Sequence, residues 1–389
     1  WAQTPPGYEL YWSDEFNETG PVMPTASGRT TCAGTAANTS DCGSHWAYDN
    51  EQRNNELQCY REHIDNMVVE NGQLTLKVTK EASQFTCSNR SAGIGGDPDI
   101  YQHYGGGIKT QAIDNGDYLV GADPAVGMPM GIYEVRAKVP AGLGTWPAVW
   151  LLGRSPDSGD SDRGWPYRGE IDIMEQVGYE EVAGTNKFHS TLHKCRSSQN
   201  ALCGDWPSGG SGEGFYYDPG EAPSANWHVF RLEWGVGYLR MYVDGNLVQE
   251  SDLLGTKTSG FLRSDSDWGA DTGNWRFWPF DTADHNGQFA LILNLAWGGG
   301  WGGSQGTDET LFGAGPPYTQ SIDYEIDYVR VYVPAAGGGV SRPQPNANGW
   351  TNPYKVPVLF AEGGDTLVSG WSGPDPITIP DMTAADRKS

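Results

Sequence analysis

Paired runs of alternating apolar and polar residues, hinged on Asn-Gly and Asp-Gly, constrain this chain more than any other feature. Residues 67–78 read as two strands about Asn71 and Gly72, and residues 238–248 as two more about Asp244 and Gly245. A type I′ turn needs left-handed backbone at both central positions, which Asn, Asp and Gly tolerate best, and its twist matches the strands it joins. Period-2 alternation recurs over 132–139, 227–234 and 326–333, which puts the apolar side chains of each strand on one face. The chain also carries 54 Gly and 25 Pro in 389 residues. In a helix interior these cost about 1 and about 3 kcal/mol each, and no long helical period competes with the strands. The pattern predicts an all-β sandwich of two antiparallel sheets.

The formal net charge is −24. Such a chain repels phosphate backbones and anionic lipid surfaces, so nucleic acid and membranes are excluded as partners and a neutral polymer is favoured. Sulfated polymers suit it poorly for the same reason. Aromatic residues reach 12%, with 16 Trp, far from the composition of a disordered chain. The longest apolar run, 289–297, is too short to span a bilayer.

Six cysteines stand at 32, 42, 59, 87, 195 and 203, none with C-x-x-C spacing. Cys32 with Cys42 and Cys195 with Cys203 would each close a short loop, leaving Cys59 and Cys87, although six cysteines allow fifteen connectivities. An even count in punctuated loops points to an oxidising compartment. With no leader-like run at Trp1, the expectation is a secreted chain whose signal has been removed. Long loops are expected at 20–44, 114–130 and 155–168. After Pro334 the composition turns to Pro, Gly and Asn, which divides the chain into a main domain, 1–334, and an extension, 335–389, packed on it.

The chemistry concentrates in one strand. Glu170, Asp172 and Glu175 lie within six residues, interleaved with Ile171, Ile173 and Met174. On a regular strand Glu170 and Asp172 share a face and Glu175 falls on the other. A β-bulge near Ile173 and Met174 would return Glu175 to their side. Two carboxyls about 5–5.5 Å apart are what a retaining glycosidase needs, and coupled carboxyls titrate as a set, one ionised and another held protonated. The spacing of His189 and His193 could suggest zinc, but neither the Glu after the first His nor a helical pattern is present. Asp157, Asp160 and Asp162 read as a solvated loop.

Several flanking segments stand in one order: Trp12-Ser-Asp-Glu-Phe, Asn54-Asn-Glu-Leu-Gln, Gly144-Thr-Trp-Pro-Ala-Val-Trp, Thr191-Leu-His, Asn294-Leu-Ala-Trp-Gly-Gly and Ile326-Asp-Tyr-Val-Arg. With the Glu-x-Asp-x-x-Glu core, the sequence from about residue 8 to 334 resembles glycoside hydrolase family 16, most closely its laminarinase-type endo-β-1,3-glucanases. The resemblance implies a β-jelly roll whose concave sheet forms a substrate cleft. It further implies Glu170 as nucleophile, Glu175 as acid/base and Asp172 as the partner orienting the nucleophile. His193 would stand beside the carboxyls. Trp146, Trp150 and Trp165 match sugar-stacking positions, Trp301 a loop bordering the cleft, and Asn55 a polar contact toward the non-reducing end. A structural calcium is implied on Glu15, the Gly72 carbonyl and Asp327. Gly107 departs from the pattern, standing where the resemblance places a substrate-contacting Arg, and Trp297 replaces a small aliphatic. The expected function is secreted, monomeric, retaining hydrolysis of internal β-1,3 bonds in a neutral β-glucan, with no cofactor in catalysis. A mixed-linkage β-1,3/1,4-glucanase, an agarase-type hydrolase, a transglycosylase and a non-catalytic β-glucan-binding protein are the alternatives.

Overall fold

The computed structural model describes residues 4–34, 41–49, 53–87, 100–110, 112–113, 117–118, 131–153, 169–195, 210–235, 238–252 and 289–335. Both hairpin turns form as the sequence predicts. Asn71 and Gly72 have φ of 54° and 84°, and Asp244 and Gly245 of 50° and 80°, joining Met67–Glu70 to Gln73–Thr86 and Tyr238–Val243 to Asn246–Asp252.

Seven strands build the sheet that carries the candidate site: β1 (Trp46–Tyr48), β2 (Gly107–Thr110), β3 (Thr145–Gly153), β4 (Glu170–Glu175), β5 (Phe188–Cys195), β6 (Gly210–Tyr217) and β7 (Phe289–Trp297). Their order is β6-β5-β4-β3-β7-β2-β1, antiparallel throughout. A second, larger sheet is centred on Ile132–Lys138 and Ile322–Pro334, which pair antiparallel. One pairing in it, Gln58–Tyr60 with Ile100–Gly105, is parallel. Among the described residues the single α-helix, α1 (Gly178–Val182), is five residues long, and no helix is long and apolar enough to cross a membrane.

The core fills the space between the sheets. Val149 and Leu151 of β3, Ile171, Ile173 and Met174 of β4, and Leu291, Leu293 and Leu295 of β7 meet Tyr133, Val135, Tyr324 and Val331 from the opposite sheet. Trp297 is fully buried there, 5.1 Å from Phe312 between ring centroids, so the indole that departs from the family pattern is a packing residue. Trp146, Ala148, Trp150 and Leu152 alternate onto the other face of β3.

Disulfides join Cys32 to Cys42 and Cys59 to Cys87. Cys203, the segments 114–116, 119–130 and 155–168 with their three aspartates, and the extension beyond 335 lie outside the described residues. The first long loop is held by Arg29, which donates to Asp14 at 2.9 and 3.0 Å and to Glu18 at 3.0 Å. Asp14 also accepts from the Trp46 indole at 2.9 Å, so its buried charge is both paired and hydrogen-bonded, as burial demands.

Candidate active site

The strand β4 is bulged where the sequence requires it. Val149 pairs with Met174, but the next residue, Trp150, pairs with Asp172, so Ile173 has no counterpart on β3. The extra residue lets Ile173 and Met174 both enter the core, at 1% and 0% exposed, and returns Glu175 to the side of Glu170 and Asp172. On the neighbouring strand Glu170 faces His193, Asp172 faces Thr191 and Glu175 faces His189.

One oxygen each of Glu170 and Asp172 and one nitrogen of His193 lie within 4.8 Å of one another. His193 Nε2 is 3.1 Å from Asp172 Oδ2 and 3.7 Å from Glu170 Oε1. Burial pushes the Asp172 carboxyl well above the ordinary range. Glu175 accepts a 2.9 Å hydrogen bond from Trp146 Nε1. Its pKa is pushed up to about 8, first by burial and then by the Asp172 charge, while the Trp146 bond and His193 pull the other way. A carboxyl kept protonated near neutrality beside two others is the division of labour that acid/base catalysis uses.

His189 does not join His193. Its Nε2 lies 2.7 Å from Glu180 Oε2 of α1, and its ring stands 4.9 Å from that of Trp301. Trp301 meets Trp146 edge-on at 5.6 Å and donates to the Tyr179 hydroxyl at 3.2 Å. Trp146 and Trp150 are 8% and 7% exposed, so each forms wall rather than open platform. The indole N–H of Trp150 goes to Asn294 Oδ1 at 2.8 Å, and the Arg53 guanidinium lies 4.8 Å above its ring. Asn55 and Asn54 form an exposed turn with φ of 58° and 53°. The Asn54 carbonyl accepts from Gly300 N–H at 2.7 Å, which ties that turn to the glycine loop bearing Trp301. Trp165 lies outside the described residues.

Sequence reasoning assigned no role to the polar group behind Trp150. Asn294 Nδ2 donates to the Tyr60 hydroxyl at 2.9 Å, and Glu56 accepts from Gln58 at 2.7 Å. Burial raises Glu56 to about 7 against the pull of Arg53 and Gln58. Asp49 is buried too, yet Arg53 at 2.7 Å and Lys109 at 3.3 Å hold its carboxyl below the ordinary range. A Cβ at Gly107 would stand 3.2 Å from both Asn294 Cβ and Tyr60 Cε1, so a long side chain cannot be accommodated there without moving these groups. The signal was present in the quoted segments, since Glu56 and Asn294 belong to them, but pairing between distant segments is not written in spacing.

Two of the three metal ligands implied by the resemblance, Glu15 and Asp327, are paired with arginines. Glu15 accepts two hydrogen bonds from Arg330, at 2.8 and 2.7 Å, and Asp327 one from Arg136 at 2.6 Å. Each of these carboxylates faces a guanidinium group, so an ion held by Glu15, the Gly72 carbonyl and Asp327 would have to draw both away from their arginines.

Comparison with known proteins places this geometry. The family profile "Glycosyl hydrolases family 16" matches residues 124–264. A beta-glucanase from Rhodothermus marinus is 31% identical over 335 residues, covering 84% of this chain and 86% of its own length. The chain belongs to glycoside hydrolase family 16. It is accordingly a glycoside hydrolase, and the two-sheet fold is the family's jelly roll. Among solved structures, the Rhodothermus marinus laminarinase superposes with a TM-score of 0.54 at 26% identity, covering 86% of this chain and 100% of that one. SCLam, a non-specific endo-β-1,3(4)-glucanase of family 16, gives 0.54 at 27%, covering 86% and 94%.

Proposed function

We propose that this family 16 hydrolase is a retaining endo-glucanase that cleaves internal β-1,3-glucosidic bonds of a neutral β-glucan by double displacement. The observation that carries this is the bulge at Ile173, which sets Glu170, Asp172 and Glu175 on one face of β4. The Glu170 carboxylate attacks the anomeric carbon as the glycosidic C–O bond breaks, and Glu175 gives its proton to the departing oxygen. Water, losing a proton to Glu175, then attacks the anomeric carbon and frees Glu170. Asp172, with His193 against it, orients the nucleophile and tempers its charge.

The β-1,3 preference is supported by the laminarinase to which the chain is similar. SCLam, described as acting on 1,3(4) bonds, supports mixed-linkage glucan as a second substrate. Intact carboxyls with a raised Glu175 oppose a purely binding role. The net charge of −24 supports a neutral polymer over a sulfated one. Two disulfides support an extracellular protein.

Reducing-end release from laminarin, mixed-linkage glucan and agarose, measured side by side, tests the proposal. Short oligosaccharides from laminarin are expected, with a lower rate on mixed-linkage glucan and none on agarose. Binding of laminarin without product would overturn it.

A further inference from the structure

The rows of paired residues that cross the site sheet do not stop at the catalytic strand. Ala148 faces Glu175, Glu175 faces His189, and His189 faces Tyr216 on the edge strand β6. Directly paired residues of antiparallel strands project to the same face, so Tyr216 shares the face that carries the carboxyls. It is 48% exposed, one of few large hydrophobic side chains left open among the described residues. A line of rings leads to it. Trp301 and His189 lie 4.9 Å apart between centroids, and His189 and Tyr216 6.2 Å.

Behind this line stands a polar buttress. Lys187 Nζ lies 4.5 Å from the Tyr216 ring centroid and 3.5 Å from Glu180 Oε1, and Glu180 also holds His189. A cation over an aromatic ring is favourable and restricts it, so Tyr216 is a positioned ring rather than a loose one. Gly214, the residue of β6 facing Thr191, adds no side chain that would block a chain approaching Tyr216. Two strand spacings put Tyr216 about 10 Å from Glu175, the reach of about two pyranose units.

We infer that Tyr216, braced by Lys187, is a remote sugar-binding residue that holds a glucan chain extending past the acid/base and so sets a preference for long substrates. This rests on the proposed β-glucanase function and adds to it a residue and a chain-length dependence. An aromatic ring suits the apolar face of a neutral pyranose.

The test compares kcat and KM of wild type, Tyr216→Ala and Tyr216→Trp on laminarin and on the shortest β-1,3-glucan oligosaccharide that wild type cleaves. Tyr216→Ala should raise KM for laminarin roughly three- to tenfold, leave kcat and the short-substrate kcat/KM unchanged, and Tyr216→Trp should restore the laminarin KM. An equal loss on both substrates, or no change on either, overturns the inference while leaving the glucanase assignment standing. If wild type releases nothing from laminarin, the proposed function itself fails, and this inference with it.

Discussion

The indole Nε1 of Trp146 donates to Glu175 Oε1 at 2.9 Å, and this bond works against burial, the largest influence on that carboxyl. Burial and Asp172 raise Glu175 to about 8, while the Trp146 bond lowers it. Replacing Trp146 by Phe keeps most of the volume and removes the donor. A hydrogen bond to a charged group contributes about 1.5–3 kcal/mol, and one pKa unit is about 1.4 kcal/mol. The basic limb of kcat/KM, where Glu175 loses its catalytic proton, should therefore move up by about one unit in Trp146→Phe. A limb that stays in place or moves down would show that Trp146 does not tune the acid.

Glu175 should also make the fold sensitive to alkali. Its folded pKa of about 8 stands above the ordinary 4.5, so between those values the native state binds more protons than the unfolded one. Stability then falls as pH rises through that window. Glu175→Gln removes the penalty and should stabilise the protein by up to about 5 kcal/mol above pH 8, with no gain near pH 4. Denaturant melts of both proteins across this range check it, and parallel pH profiles would count against a raised Glu175.

The arginine pairs at Glu15 and Asp327 make a statement about calcium. With Arg330 and Arg136 satisfying those carboxylates, chelator and added calcium should leave the melting temperature unchanged. A rise of several degrees with calcium, lost in Glu15→Gln, would mean that the carboxylates leave their arginines for the ion.

Much of this was legible in the sequence, for identifiable reasons. The hairpins at Asn71 and Asp244 were readable because a type I′ turn demands left-handed backbone that few residues supply. The bulge in β4 was readable because Ile171 and Ile173 must enter the core while three carboxyls share the opposite face, and an extra residue satisfies both. The partners of His189 were not readable, since Glu180 comes from a short helix whose approach depends on tertiary packing. Arg53 over Trp150, and Asn294 between Trp150 and Tyr60, join segments far apart in the chain. Period and spacing carry no record of such contacts. The calcium ligands were inferred by resemblance alone, and the arginines facing them were invisible until the strands were paired.

The roles of the two glutamates can be separated in one measurement. Azide added to Glu170→Ala and to Glu175→Ala, each acting on an activated aryl β-glucoside oligosaccharide, replaces the missing carboxylate or the incoming water. NMR of the glycosyl azide then reports which. The account predicts an α-azide from Glu170→Ala, by direct displacement, and a β-azide from Glu175→Ala, by attack on the covalent intermediate. A β-azide from Glu170→Ala, or an α-azide from Glu175→Ala, would contradict it.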